Sequence, residues 1–244
     1  MSDIKAVLFD LDETLFDHTH SVTASMAQMR VEHAALQTRS LEEILIEHSR
    51  LLDVMHVEVL AGRLSQEQAR IDRMRGIFAF CDVDVSEEAG IKAAAAHAQR
   101  YRAARRAVPG ARELLERLRP HVKVIIVTNN LLAEQQSKLE CCGLTDLVDA
   151  LITSEEFGCA KPDPAIFQIA LDRAACTSKE AVMIGDSWPI DILGAVNCGI
   201  RAVWFNRHGL KRPGDEATEI TSLSTVHFEW ITMLPPPKGW EPLS

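Results

Sequence analysis

Aromatic side chains are scarce in this 244-residue chain, at 5% of the composition with a single tyrosine. That counts against a surface that grips nucleic-acid bases by stacking. A basic stripe is missing too: 26 Lys and Arg stand against 35 Asp and Glu, for a net charge of −9. A nucleic-acid binder concentrates cations on one face, and a membrane-surface protein carries a polybasic helix. No apolar stretch approaches the roughly 18 residues of a membrane span. The opening MSDIKAVLFDLDETLF is unlike a signal peptide, because Asp10 and Asp12 break its short apolar run. The expectation is a cytoplasmic protein with neither nucleic acid nor membrane as partner. No CxxC pair occurs among Cys81, Cys141, Cys142, Cys159, Cys176 and Cys198. In a reducing compartment such cysteines are expected to be buried small apolar residues rather than disulfides or metal ligands.

What is present is an ordinary globular composition, 47% apolar and 25% charged, on a chain long enough for a core plus a smaller module. The charge is unevenly placed. Residues 18–106 hold 12 Lys/Arg and 12 Asp/Glu, so the remaining 14 and 23 carry the whole −9. The same segment lacks strand-like runs and shows helix starts with capping-box spacing at Ser40/Glu43, Ser65/Gln68 and Asp84/Glu87. Met26, Met29, Met55 and Met74 fall on these helices and are expected as core filler.

Outside that segment the rhythm is strand and helix. Lys5–Asp10 reads as a buried strand. After Pro109-Gly110 come a helix at Ala111–Arg119, a strand at Val122–Val127 and a helix from about Leu131 to Gly143. A short strand near Leu151-Ile152, a helix from Pro164 to about Ala175 and a strand at Ala181–Ile184 follow. The last elements are a helix ending at Cys198-Gly199 and a strand at Ala202–Phe205, with Pro235-Pro236-Pro237 in a surface tail. Alternation of this kind predicts an α/β fold with a Rossmann-like parallel sheet. The predicted domains are a core of residues 1–17 and 107–244, and an inserted all-helical domain at 18–106.

Ligands of open α/β sheets sit at the carboxyl ends of the strands. Asp10 and Asp12 follow the first strand, Thr128 and Asn129 the second, and Asp186 a later one, while Lys161 precedes a helix start. This set suits phosphoryl transfer, which needs a positioned nucleophile and neutralisation of the phosphate oxygens. A carboxylate such as Asp10 would pass through an aspartyl-phosphate. Gathering Asp10, Asp186 and Asp191 around a dianionic phosphate calls for Lys161 and a divalent cation, for which Mg²⁺ is the natural choice. Asp12 would then protonate the leaving oxygen and later take a proton from water, which requires a carboxyl that is protonated at one stage.

FDLDETLFD, VTNN, AKPDPAIF and IGDSWPIDILGA resemble, in order, the four signature motifs of the haloacid dehalogenase superfamily of phosphohydrolases, over Ala6 to about Phe205. The resemblance implies a Rossmann-like core and makes the helical insert a cap. By matching position it implies Asp10 as nucleophile and Asp12 as acid/base, the latter also on Mg²⁺ through its backbone carbonyl. Thr128, the amide of Asn129 and Lys161 would hold phosphate. Asp10, Asp12 and Asp186 would form the metal set, with Asp191 supporting it. Glu13 stands where Gly is common in such enzymes.

The implied substrate is a small phosphorylated metabolite: a sugar phosphate, phosphoglycolate or a nucleoside monophosphate. The cap, expected to select it, offers few aromatics (Phe78, Phe80, Tyr101). A 2-haloacid dehalogenase needs neither Mg²⁺ nor Asp12. A phosphomutase shares the scaffold, and a receiver-like signalling module is about half this length. Asp17 reads as a hinge tie or a helix cap, and Trp188 as a site flank or a packing residue. His18, His20, Arg105 and Arg106 are expected to be solvated, and Cys159 to be a buried thiol.

Overall fold

The computed structural model describes residues 3–236. Its first strand, β1 (Ala6–Phe9), is wholly buried, as expected of an apolar run inside a parallel sheet. After β1 the chain turns through residues 11–17, where Phe16 bridges both Asp12 and Ala107. Four helices follow: α1 (His18–Glu32), α2 (Leu41–Leu60), α3 (Gln66–Phe80) and α4 (Glu87–Ala103). The chain then continues through α5 (Ala111–Leu118), β2 (Lys123–Thr128), α6 (Leu132–Cys141), β3 (Ala150–Thr153), the single turn α7 (Ser154–Phe157), α8 (Pro164–Ala174) and β4 (Ala181–Gly185). A wide turn at Trp188–Ile192 leads into α9 (Leu193–Asn197), β5 (Arg201–Phe205), β6 (Thr218–Ile220) and α10 (Phe228–Thr232).

Contacts divide the chain into two compact units, one up to Asp17 and from Ala107 onward, the other His18–Arg106. In the first, six parallel strands are ordered β3-β2-β1-β4-β5-β6. β1 is therefore central, with Phe9 in register with Ile126 of β2 and Ile184 of β4. The strand order reverses between β1 and β4, so the crevice beyond their carboxyl ends is the place where doubly wound sheets bind ligands. One face of the sheet packs Leu8, Val127 and Met183 against Ile166 and Phe167 of α8. The fold is thus the expected Rossmann-like α/β type.

The second unit has its own core, in which Met26, Met29, Ile44, Met74, Ile77 and Phe78 interlock. Ser40 and Glu43 form a reciprocal capping box, and Ser65 accepts from the Gln68 amide. At α4 the cap is Ser86, accepting from the Ala89 amide, rather than Asp84. Glu87 and Glu88 then lie in the first turn, where carboxylates favour the helix dipole.

Several expectations are corrected. Of the six cysteines only Cys81 is buried, and Cys141, in the last turn of α6, is exposed. Met55, expected as core filler, is only half-buried. The tail contains β6 and α10, which the sequence reading passed over. Pro235 and Pro236 are exposed, and Pro237 lies outside the described residues. No helix among the described residues is long and apolar enough to cross a membrane.

Candidate active site

β1 ends where Asp10 begins, and the Asp10 amide donates to the Ile184 carbonyl (3.0 Å), so the side chain emerges at the strand-order reversal. Asp10 is buried, at 8% exposure. Oxygens of Asp10, Asp186 and Asp191 all lie within 4.8 Å of one another. Lys161 stands among them, its Nζ donating to Asp10 Oδ1 (2.7 Å) and to Asp191 Oδ1 (2.6 Å). One cation thus faces three carboxyls.

Two local devices hold the set. The wide turn after β4 lets the Asp191 and Ile192 amides both donate to the Ser187 carbonyl, while the Ser187 amide donates to Asp191 Oδ2 (3.0 Å). Turns of this i→i+5 type recur at functional sites. Gly185 makes room for them, because a Cβ there would lie 2.6 Å from the Asp191 Cβ. On the other side, Asn129 straps the Lys161 loop to the end of β2. Its Nδ2 donates to the Lys161 carbonyl (2.8 Å), and its Oδ1 accepts from the Lys161 amide (2.7 Å). The side chain of Asn129 is therefore committed to the Lys161 loop.

The electrostatics follow from this crowding. Burial, reinforced by Asp191 and only partly opposed by Lys161, pushes the Asp10 carboxyl up to about 7. Burial, then Asp10 and Asp191, push Asp186 up to about 8. Burial works against the Lys161 ammonium, yet Asp10 and Asp191 overcome it and hold its pKa above the ordinary value. A site whose carboxyls resist ionisation for want of positive charge fits a hard divalent cation with oxygen ligands.

Asp12 occupies a different environment. Its Oδ1 accepts from Lys138 Nζ (2.6 Å) and its Oδ2 from Gln135 Nε2 (3.0 Å). Gln135 also donates to Thr128 Oγ1 (2.6 Å), which leaves the threonine hydroxyl proton available to another acceptor. Lys138 and Gln135 are buried, and neither was read from the sequence as functional. Their signal was there: Leu131, Gln135, Lys138 and Cys142 fall at helical spacing on one stripe, and two polar residues interrupt it.

Around the rim, Glu13 adopts φ +65°. That left-handed conformation explains why glycine suits the position, and it costs a side-chain-bearing residue about 1 kcal/mol. Glu13 Oε2 lies 3.2 Å from His208 Nε2, and Arg207 Nη2 donates to the buried Asp17 (2.9 Å). Asp17 is thereby tied to the loop after β5. Trp188 is buried edge-on against Trp204 at 5.2 Å, a packing role. His18 lies half-buried, its Nδ1 2.8 Å from the Tyr101 hydroxyl, rather than solvated, and His20 is also half-buried. Arg105 stacks over the Tyr101 ring at 5.3 Å, Arg106 is exposed, and Cys159 is half-buried.

The chain is 41% identical over 121 residues to pyrimidine 5'-nucleotidase YjjG of Escherichia coli, a match covering 49% of this chain and 53% of that relative's length. It is 26% identical to a glyceraldehyde 3-phosphate phosphatase of Methanothermobacter thermautotrophicus over 91% of this chain and 98% of the other. An L-2-haloacid dehalogenase from Xanthobacter autotrophicus shares the fold at TM-score 0.70 and 19% identity, over 95% of this chain and 100% of that one. A family model for haloacid dehalogenase-like hydrolases matches residues 4–199, and the chain belongs to that family.

Proposed function

We propose that the protein is a Mg²⁺-dependent phosphomonoester hydrolase working through an aspartyl-phosphate. The observation that carries this reading is the division of environments: Asp10 crowded with Asp186, Asp191 and Lys161, and Asp12 set apart on Lys138 and Gln135. A dehalogenase has no use for the second arrangement.

In the first step an Asp10 oxygen attacks phosphorus while the bond from phosphorus to the ester oxygen breaks. Asp12 gives its proton to that departing oxygen. In the second, water attacks phosphorus, Asp12 takes the water's proton, and the bond to Asp10 breaks to release inorganic phosphate. Lys161, the Thr128 hydroxyl and the main-chain amide of Asn129 hold the phosphoryl oxygens. Asp10, Asp186 and the Asp12 carbonyl would hold Mg²⁺ with Asp191 behind them, and the ion would neutralise phosphate charge.

Similarity to the nucleotidase and the phosphatase named above supports a small phosphorylated metabolite as substrate, of the sugar phosphate, phosphoglycolate or nucleoside monophosphate kind. The free cysteines suit a reducing cytoplasm. The helical unit is read as the cap that selects the substrate.

Hydrolysis of p-nitrophenyl phosphate should require Mg²⁺, stop with EDTA, and fall at least about 10³-fold in Asp10→Asn. Wild-type turnover in that variant, or EDTA-resistant chloride release from 2-chloropropionate, would overturn the reading.

A further inference from the structure

The helical unit carries a polar layer within its apolar packing, and all four helices contribute to it. His48 of α2 is 3% exposed, and its Nε2 has no hydrogen-bond partner among the described residues. His97 of α4 is buried with its ring 5.3 Å from that of His48, and its Nδ1 lies 2.8 Å from the Ser25 hydroxyl of α1. Tyr101, one turn further along α4, lies 6.1 Å from the His97 ring. The fourth contribution is Arg73 of α3, 8% exposed, whose Nε is buried with no hydrogen-bond partner among the described residues.

Arg73 is the anomaly. Buried charges are ordinarily paired, because an uncompensated ion in a protein interior costs several kcal/mol. Among the described residues no carboxylate acts on Arg73: its charged neighbour there is Arg70, which repels it, while Tyr101 acts favourably. Burial lowers its pKa only to about 10, so the guanidinium keeps its charge near neutral pH. The histidines cannot compensate it. Burial first and Arg73 second hold His97 down to about 3, and the same two causes hold His48 well below its ordinary value. Both rings are neutral there, and each neutral ring offers one donor and one acceptor nitrogen.

A planar fork of donors beside neutral imidazoles, between the helices of a bundle, is suited to bidentate capture of an oxyanion. We propose that this layer binds the carboxylate or phosphate group of a small-molecule ligand, with Arg73 as the charged clamp and His48 as its neutral hydrogen-bonding neighbour. The site lies wholly within residues 18–106 and does not depend on the reaction assigned to Asp10.

Imidazole ¹⁵N NMR of the full chain tests this, with inorganic phosphate and acetate titrated separately. At least one probe should shift the His48 and His97 signals saturably, and the probe that saturates at lower concentration identifies the group. Arg73→Met should weaken that binding at least about tenfold, and should raise Tm in anion-free buffer, because it removes an uncompensated charge. Arg73→Lys keeps the charge but loses the fork, so it should bind more weakly than wild type while remaining folded. Absence of saturable shifts with both probes, or undiminished binding in either variant, would overturn the proposal.

Discussion

Asp186→Asn should make the metal-free protein more stable, and increasingly so as the pH rises. Carboxylate oxygens at most 4.8 Å apart repel by about 3.5 kcal/mol at an effective dielectric of 20. Asp186 faces two such neighbours, Asp10 and Asp191, against the single cation Lys161, so roughly one repulsion is left uncancelled. The wild-type side chain escapes part of that cost by keeping its proton, its pKa being pushed up to about 8 by burial and the two neighbours. A carboxyl raised in this way binds more protons in the folded than in the unfolded chain. Its contribution to stability is therefore full below the unfolded value near 4 and is lost as the pH climbs through the folded value. Asparagine does not titrate, and its Oδ1 can still accept from Thr14, 3.4 Å away in the wild type.

Asp186 is only half-buried, so the full electrostatic figure is discounted for solvent screening, to a gain of about 2–4 kcal/mol near pH 8 and close to zero near pH 4. Urea unfolding in EDTA at the two pH values measures it. Mg²⁺ should erase the difference, because a ligand at 1,000 times its Kd adds about 4.1 kcal/mol to the wild type and little to the variant. A variant less stable than wild type at pH 8 in EDTA, or a gain no larger at pH 8 than at pH 4, would refute the reasoning.

Lys138→Met tests the second environment: without its ammonium the Asp12 carboxyl loses the 2.6 Å bond that positions it. The loss in kcat/KM should be about 10–100-fold for an alkyl phosphomonoester, whose leaving oxygen needs a proton, and only a few-fold for p-nitrophenyl phosphate. Equal losses on both substrates would reduce Lys138 to a structural role. Gly185→Ala would place a methyl group against the Asp191 side chain, 2.6 Å from its Cβ. The expected cost is about 1–3 kcal/mol in a urea melt, with turnover falling as Asp191 shifts, whereas unchanged stability would mean that the turn after β4 yields freely.

The strand ends were legible because a parallel sheet leaves little choice. β1 is an apolar run with no second role, and a carboxylate after it has nowhere to go but the crevice. The same logic found Thr128 and Asp186 at the ends of β2 and β4. The helix starts at Ser40 and Ser65 were legible because each requires only a hydroxyl and a free amide at fixed spacing. At α4 the spacing pointed to Asp84, but the helix starts two residues later, with the Ser86 side chain accepting from the Ala89 amide. β6 and α10 are three and five residues long. Neither is long enough for periodicity to rise above noise, and each gains its stability from docking rather than from its own pattern.

Lys161 and Lys138 show where the limit lies. Both are buried lysines at 2% side-chain exposure, each bonded to a carboxylate after β1. Lys161 lies in a loop, where a polar residue has no helix face to decorate, so its presence near the strand ends asks for a function. Lys138 lies on α6, where the ordinary fate of a lysine is a solvated face. What separates the two possibilities is phase. Stepping from Leu131 by helical intervals reaches Gln135, Lys138 and Cys142, so the lysine stands inside the buried stripe rather than opposite it. Arg73 obeys the same rule on α3, sharing its buried side with Ala69 and Ile77. A long cation in phase with an apolar stripe must meet a counter-charge, and for Lys138 that is Asp12. For Arg73 no described residue supplies one, and the anion proposed for the helical unit follows from the same reasoning that assigns Lys138 to the site.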